Sequence, residues 1–188
     1  MATDRVDDAF AAVPREWFLP ARERPRASYD GPIEIGHGQT NSQPRTVANM
    51  LRLLEVRPGD RVLDVGSGSG WTTGLLAELT GPTGEVLGVE LEPDLVTFGR
   101  ANLARGRWAW ARIEQATPGV YGVPARAPYD RILVSAQAGE LPDSLVAQLA
   151  PGGRMVVPVA GEMLLVTTAG GGEPEVTRHG FYRFVPLR

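Results

Sequence analysis

Three glycines at alternate positions, Gly66, Gly68 and Gly70, directly follow the apolar run Val62-Leu63-Asp64-Val65. Such a run reads as a buried strand, and glycines at its carboxyl end let the backbone turn sharply and approach a ligand closely. The spacing is G-x-G-x-G, whereas a dinucleotide fingerprint, G-x-G-x-x-G, needs glycine at position 71, where the chain has Trp71. A pyrophosphate ligand is disfavoured, and a nicotinamide dehydrogenase with it. About twenty residues further on, Glu90 closes the run Gly88-Val89-Glu90, where a carboxylate accepts the hydroxyls of an unmodified ribose. The helix opening near Trp71 offers free N–H groups and a positive dipole end to an anion. A nucleoside with a carboxylate at its far end satisfies all three features, and S-adenosyl-L-methionine is such a molecule. The candidate cofactor residues are Asp64, Gly66, Ser67, Gly68, Gly70, Trp71, Glu90 and Leu91. Asp64 either meets the cofactor's ammonium or orders the loop, and Trp71 either flanks the cofactor or packs in the core.

These residues need a scaffold that gathers them. Strand and helix signals alternate from residue 61: strand 61–65, helix 71–79, strand 85–89, helix 93–103, strands 109–113 and 131–134, helix 142–149 and strand 154–159. Alternation of this kind predicts an α/β fold, a Rossmann-like, doubly wound and mostly parallel sheet with right-handed crossovers. The stretch after residue 160 breaks the pattern. Runs 163–168 and 181–185, separated by Gly170-Gly171-Gly172-Glu173-Pro174, read as an antiparallel C-terminal strand pair. Upstream, Thr3 is a cap for a first helix ending near Val13-Pro14, and Pro20-Ala21-Arg22-Glu23-Arg24-Pro25-Arg26 reads as an irregular, solvated surface arm. From Pro44, the positions Val47, Met50, Leu51 and Leu54 recur at helical spacing, with Ser42 as the expected cap. The expectation is one domain over 1–188, divided into N-terminal helices and a covering loop at 1–60, a cofactor core at 61–160 and the strand pair at 161–188.

Composition narrows the chemistry further. A chain of 188 residues with net charge -3 carries no basic footprint for nucleic acid. The absence of cysteine excludes disulfides, thiolate zinc sites and cysteine nucleophiles, and His37 and His179 are the only imidazoles, so no metal site is expected. The acidic start lacks a signal-peptide pattern, and no apolar run reaches membrane-spanning length. The expectation is a cytoplasmic protein with neither nucleic acid nor membrane as partner, its oligomeric state left open.

The chain resembles the protein-L-isoaspartate (D-aspartate) O-methyltransferases. The resemblance rests on Ala9-Phe10 with Val13-Pro14-Arg15, on Gly36-His37-Gly38-Gln39-Thr40 followed by Ser42-Gln43-Pro44, and on the glycine loop with Gly70-Trp71. It continues through Ala127-Pro128-Tyr129-Asp130-Arg131-Ile132, Leu149-Ala150-Pro151-Gly152-Gly153-Arg154, Val157-Pro158-Val159 and Phe184-Val185-Pro186-Leu187, in order over nearly the whole chain. It implies a class I methyltransferase fold, S-adenosyl-L-methionine as cofactor, and methyl transfer to the carboxylate of an isoaspartyl residue in a protein or peptide, which begins repair through a succinimide. It also implies that residues 36–44 cover substrate and cofactor, that Ser42 and Thr40 act at the reacting carboxylate, and that Asn41 and Gln43 lie beside the substrate. Pro158 and Val159 would present backbone to an extended substrate peptide. The composition agrees: an ionised carboxylate attacking a sulfonium methyl needs in-line positioning and water exclusion rather than a base or a metal.

Two positions depart from the family pattern. Pro118 stands where an Asp is usual for the adenine amino group, with Glu114 or Gln115 as replacements if the loop is re-routed. Asn41 stands where an apolar residue is usual between Thr40 and Ser42. These changes keep two alternatives open: methylation of ordinary aspartate in a ribosomally made precursor peptide, and a degenerate homologue that binds cofactor without turnover.

Overall fold

The computed structural model describes residues 4–169 and 173–188. Thr3 and Gly170-Gly171-Gly172, to which a cap and part of a turn were assigned, lie outside the described residues. Helix α1 (Arg5–Ala12) is capped by Asp4, whose side chain accepts the Val6 N–H at 2.9 Å. The arm at 20–26 is not irregular, because Ala21–Arg26 winds as an exposed 3-10 helix. The covering loop expected at 36–44 starts inside a hairpin of β1 (Ile33–Gly36) and β2 (Gln39–Asn41) and ends at the first residue of the next helix. Its tight turn sets Gly36, His37 and Gly38 at positive φ. Helix α2 (Pro44–Leu54) follows, and its N-cap position falls to Gln43, without a side-chain cap bond, rather than to Ser42.

The apolar runs then build a seven-stranded sheet in the order β5-β4-β3-β6-β7-β8-β9. Its strands are β3 (Arg61–Val65), β4 (Glu85–Glu90), β5 (Ala111–Gln115), β6 (Tyr129–Val134), β7 (Leu149–Val159), β8 (Glu162–Thr167) and β9 (Glu175–Phe181). Strands β3 to β6 and the β6–β7 pair run parallel, while β8 and β9 join antiparallel. Helices α3 (Trp71–Thr80) and α4 (Pro93–Leu103) carry the crossovers. Period-two alternation sends Val62, Val86, Leu133 and Val156 into a core with α1, α2 and α3. Leu63, Val65, Leu87, Ile132 and Val134 enter the core on the opposite face.

Strand β3 has β4 on one side and on the other β6, which the chain reaches from β5, so the winding reverses at β3 and a crevice opens above its carboxyl end. Strand β7 starts five residues before the expected 154, and three other expected elements are shifted. Helix α5 is only Asp143–Val146, because the chain beyond it is drawn into the sheet: Tyr129 N–H bonds Gln148 O at 2.8 Å and Leu149 already pairs with Tyr129. Strand β5 starts at Ala111, two residues late, after the Trp108 and Trp110 indoles have bonded Glu78 and Ala77 O on α3. The last strand is Glu175–Phe181, an exposed edge whose polar residues carry no alternating signal, and the apolar run after it is a separate tail. No described helix is long and apolar enough to cross a membrane.

Candidate active site

The turn from β3 into α3 is held by its neighbours. Gly66 and Ser67 both donate their N–H to Val89 O, at 2.9 and 3.0 Å, extending the β3–β4 ladder past the strand end. Gly70 is the N-cap of α3 at φ 88°, and a Cβ there would stand 2.9 Å from Ile113 Cδ1 and 3.1 Å from Gly99 O. Only glycine fits both the left-handed backbone and that close approach to α4. Glu90 Oε2 accepts the Gly68 N–H at 2.9 Å, and Oε1 accepts those of Leu91 and Glu92 at 2.7 and 2.9 Å.

A cleft of about 910 Å³, counted out to its open mouth, lies above this turn. Of the expected cofactor residues, Gly66, Ser67, Gly68, Trp71, Glu90 and Leu91 line it. Asp64 and Gly70 lie behind that surface. Asp64 is fully buried on the α3 face, and its Oδ2 accepts the Thr72 and Thr73 hydroxyls, each at 2.7 Å. Burial pushes its carboxyl up to about 6, opposed by the Thr73 and Thr72 bonds and reinforced by Glu90. Through Oδ2 Asp64 ties β3 to the first turn of α3, while its Oδ1 is buried without a hydrogen-bond partner among the described residues. Trp71 packs, its indole N–H bonding Val13 O at 3.2 Å and its ring meeting Phe10 edge-on at 5.3 Å, and it also borders the cleft.

The hairpin completes the opposite wall. Thr40, Asn41 and Ser42 line the cleft together with Gln39. Their position is set by Arg15, 7 % exposed, which enters no ion pair with a carboxylate among the described residues. Its Nη1 donates to Tyr29 O at 2.7 Å, and its Nη2 approaches Gly31 O, Asn41 O and Ser42 O at 2.8, 3.1 and 2.9 Å. Its Nε donates to Asn41 Oδ1 at 2.7 Å, and the guanidinium lies 5.3 Å from the centre of the Trp71 ring. Desolvation lowers its pKa to about 10, still far above neutrality, so the buried cation persists.

Gln43, Pro158 and Val159 are not brought to the cleft. The Gln43 amide donates to Asp30 O at 3.0 Å, away from the cleft. Pro158 and Val159 are already inside the sheet: they pair with Met163 and Glu162 on one side, while Pro158 O and Ala160 N bond Ala138 on the other. The backbone expected to receive a substrate strand is therefore committed. Where the resemblance puts the adenine, the wall is Ala116, Thr117, Val120, Tyr121 and Gly122 rather than Pro118, Glu114 or Gln115. Glu114 is held by Arg112 and Arg126, and the Gln115 amide donates to the Glu90 and Leu91 carbonyls.

Several lining residues escaped the sequence analysis. Ser69 and Thr72 sit within or next to the glycine loop and were overshadowed by it. Ser135 and Ala136 follow β6, and residues 185–188 form a tail that crosses the crevice. The tail is anchored through Gln137, which donates to Val185 O and accepts from Leu187 N, and through an Arg188–Glu92 contact of 2.6 Å. Phe184-Val185-Pro186-Leu187 had carried resemblance, but no local signal placed it at the site.

A model of the family described as protein-L-isoaspartate (D-aspartate) O-methyltransferase matches residues 1–188. A protein-L-isoaspartate O-methyltransferase of Methanopyrus kandleri is 46% identical over 189 residues, covering 98% of this chain and 84% of that protein. One from Methanothrix thermoacetophila is also 46% identical, over 88% of this chain and 80% of its own length. Among solved structures, a putative Plasmodium falciparum enzyme of this type, in complex with S-adenosyl-L-homocysteine, superposes with a TM-score of 0.87 at 28% identity, covering all of this chain and 92% of its own. Another structure of a protein-L-isoaspartate O-methyltransferase gives a TM-score of 0.88 at 26% identity, with 99% of this chain covering 62% of that one. The glycine loop, the Glu90 anchor and the hairpin that faces them thus belong to a recognised whole, and the chain is a member of the protein-L-isoaspartate (D-aspartate) O-methyltransferase family.

Proposed function

We propose that this protein transfers a methyl group to the side-chain carboxylate of isoaspartyl residues in damaged proteins or peptides, with S-adenosyl-L-methionine as donor. The observation that carries this reading is the meeting of the glycine loop with Thr40, Asn41 and Ser42 across one cleft, in a chain of this family. The residues present suit the cofactor. Ser67 Oγ is buried on the cleft wall without a hydrogen-bond partner among the described residues, and α3 points its N-terminus toward the same space.

When bound, the cofactor supplies a sulfonium methyl that passes to a carboxylate oxygen as S-adenosyl-L-homocysteine departs. Glu90 Oε2, which spends one acceptor position on Gly68 N–H, retains capacity for a ribose hydroxyl. Ser42 and Thr40 orient the accepting carboxylate from the hairpin side, and the tail over residues 185–188 excludes water. No proton is removed, because the attacking carboxylate is already ionised at neutral pH. Asn41 gives no support to a different acceptor, since its side chain is engaged by Arg15 and Ser69.

The test is methylation of paired synthetic peptides that differ only in isoaspartate against aspartate at one position, with labelled cofactor. Label entering the isoaspartyl peptide is the expected result. Label in the aspartyl peptide alone sinks the repair reading, and no label in either sinks the enzymatic one.

A further inference from the structure

Asn41 lies where the cofactor loop and the hairpin touch. Its amide orientation is determined by chemistry: a guanidinium only donates, so Oδ1 must face Arg15 Nε, at 2.7 Å, which leaves Nδ2 facing Ser69 Oγ at 3.2 Å. Ser69 Oγ is thereby an acceptor from Asn41, and its own O–H must point elsewhere. Among the described residues nothing accepts that hydrogen, although Ser69 is 2 % exposed and lines the cleft one residue before the N-cap of α3. Asn102 Nδ2 pins the Ser69 carbonyl at 3.1 Å, so the hydroxyl torsion is what remains to be set. Three donors therefore run in one direction, Arg15 to Asn41 to Ser69, each polarising the next, and the run ends in an unmet hydrogen.

We propose that Asn41 is a positioning residue that turns the Ser69 hydroxyl into a donor for the carboxylate of the cofactor's amino-acid end. The proposal rests on the methyltransferase reading and adds to it a role for the position at which this chain departs from the apolar residue usual in the family. An anion is the ligand such an array selects. Its terminal donor sits beside the free N–H groups of α3, and the buried Arg15 guanidinium, hydrogen-bonded only to neutral acceptors among the described residues with Asp30 nearby, heads the donor run.

The experiment is calorimetric titration of wild type, Ser69→Ala, Asn41→Leu and Asn41→Asp with S-adenosyl-L-methionine and with its decarboxylated analogue, which differ only in that carboxylate. Asn41→Leu removes the donor to Ser69. Asn41→Asp keeps the Arg15 contact but makes the side chain an acceptor, which draws the Ser69 hydrogen back from the cleft. The expected result is that each variant reduces the preference for the carboxylated ligand by about fivefold or more, with affinity for the decarboxylated one within about twofold of wild type. The Asn41→Leu/Ser69→Ala double variant should lose no more than Ser69→Ala alone. Equal weakening of both ligands, or an unchanged preference in a variant whose unfolding transition shows it to be folded, overturns the proposal. Failure of wild type to bind either ligand overturns the cofactor reading itself. Two Asn41 variants of opposite polarity keep the test open if one does not fold.

Discussion

Glu90 Oε2 and the Gly68 N–H are 2.9 Å apart across residues 22 positions apart in sequence, so the carboxylate expected to meet a ribose is also what holds the glycine loop in shape. Cofactor recognition and loop conformation share one side chain. Glu90→Gln keeps the size but puts an NH2 group where an N–H already points. The expected outcome is a loss of about 1.5 to 3 kcal/mol in S-adenosyl-L-homocysteine binding, measured by calorimetry, with stability lowered as well. A variant that binds as tightly as wild type contradicts the dual role.

Arg15 should be more sensitive than its distance from the reacting atoms suggests. Arg15→Lys retains the charge but loses the planar fork that reaches Asn41, Tyr29, Gly31 and Ser42. A stability loss of about 2 to 4 kcal/mol is expected in chemical denaturation, because buried carbonyls are left unpaired. Amide hydrogen exchange should rise first across residues 33–42, the hairpin that Arg15 clamps. Uniform acceleration throughout the chain would count against the clamp.

Gly70→Ala combines a positive φ with a Cβ set against Ile113 and Gly99. A cost of about 2 to 4 kcal/mol follows from backbone strain and overpacking together. Gly70→Ala in an Ile113→Ala background serves as the control, since the strain at φ 88° is kept while the Cδ1 that the new Cβ meets is gone. The difference between the losses in the two backgrounds, read from midpoints of thermal unfolding, reports the Ile113 contact, and equal losses would assign the whole effect to strain and the Gly99 backbone.

The buried Asp64 carboxyl makes stability depend on pH. Its folded pKa, pushed up to about 6, exceeds the ordinary aspartate value of 3.8, so between these values the folded state holds a proton that the unfolded chain has released. The contribution of Asp64 to stability therefore falls as pH rises from about 4 to about 6 and is level above that. Asp64→Asn should flatten this part of the stability profile of the ligand-free protein, followed by urea denaturation at closely spaced pH values. A wild-type profile that keeps its slope in the variant assigns the titration to other groups.

The alternation of apolar runs and helical periods in the core was legible from residue 61 onward because those signals are local: each strand and helix here buries a face, and burial writes its period into neighbouring positions. The glycine loop, with Glu90 after the next strand, was legible for the same reason, since both stand at the carboxyl ends of adjacent parallel strands. Elements without a buried face escaped this logic. Strand β9 is an exposed edge of mixed polar residues, so the apolar run at 181–185 drew the expectation away from it.

Local pattern carries the α/β scaffold and the cofactor turn, and ordered resemblance carries the family. The direction in which side chains face came from packing. Gln43 turns to Asp30 and Pro158 is sealed between β8 and Ala138, although both are neighbours of residues that line or border the cleft. Asn41 meets Arg15 and Ser69 across separations of 26 and 28 residues, and the tail reaches Glu92 from 96 positions away. Such meetings depend on how distant segments pack and on which donors must find acceptors once water is removed.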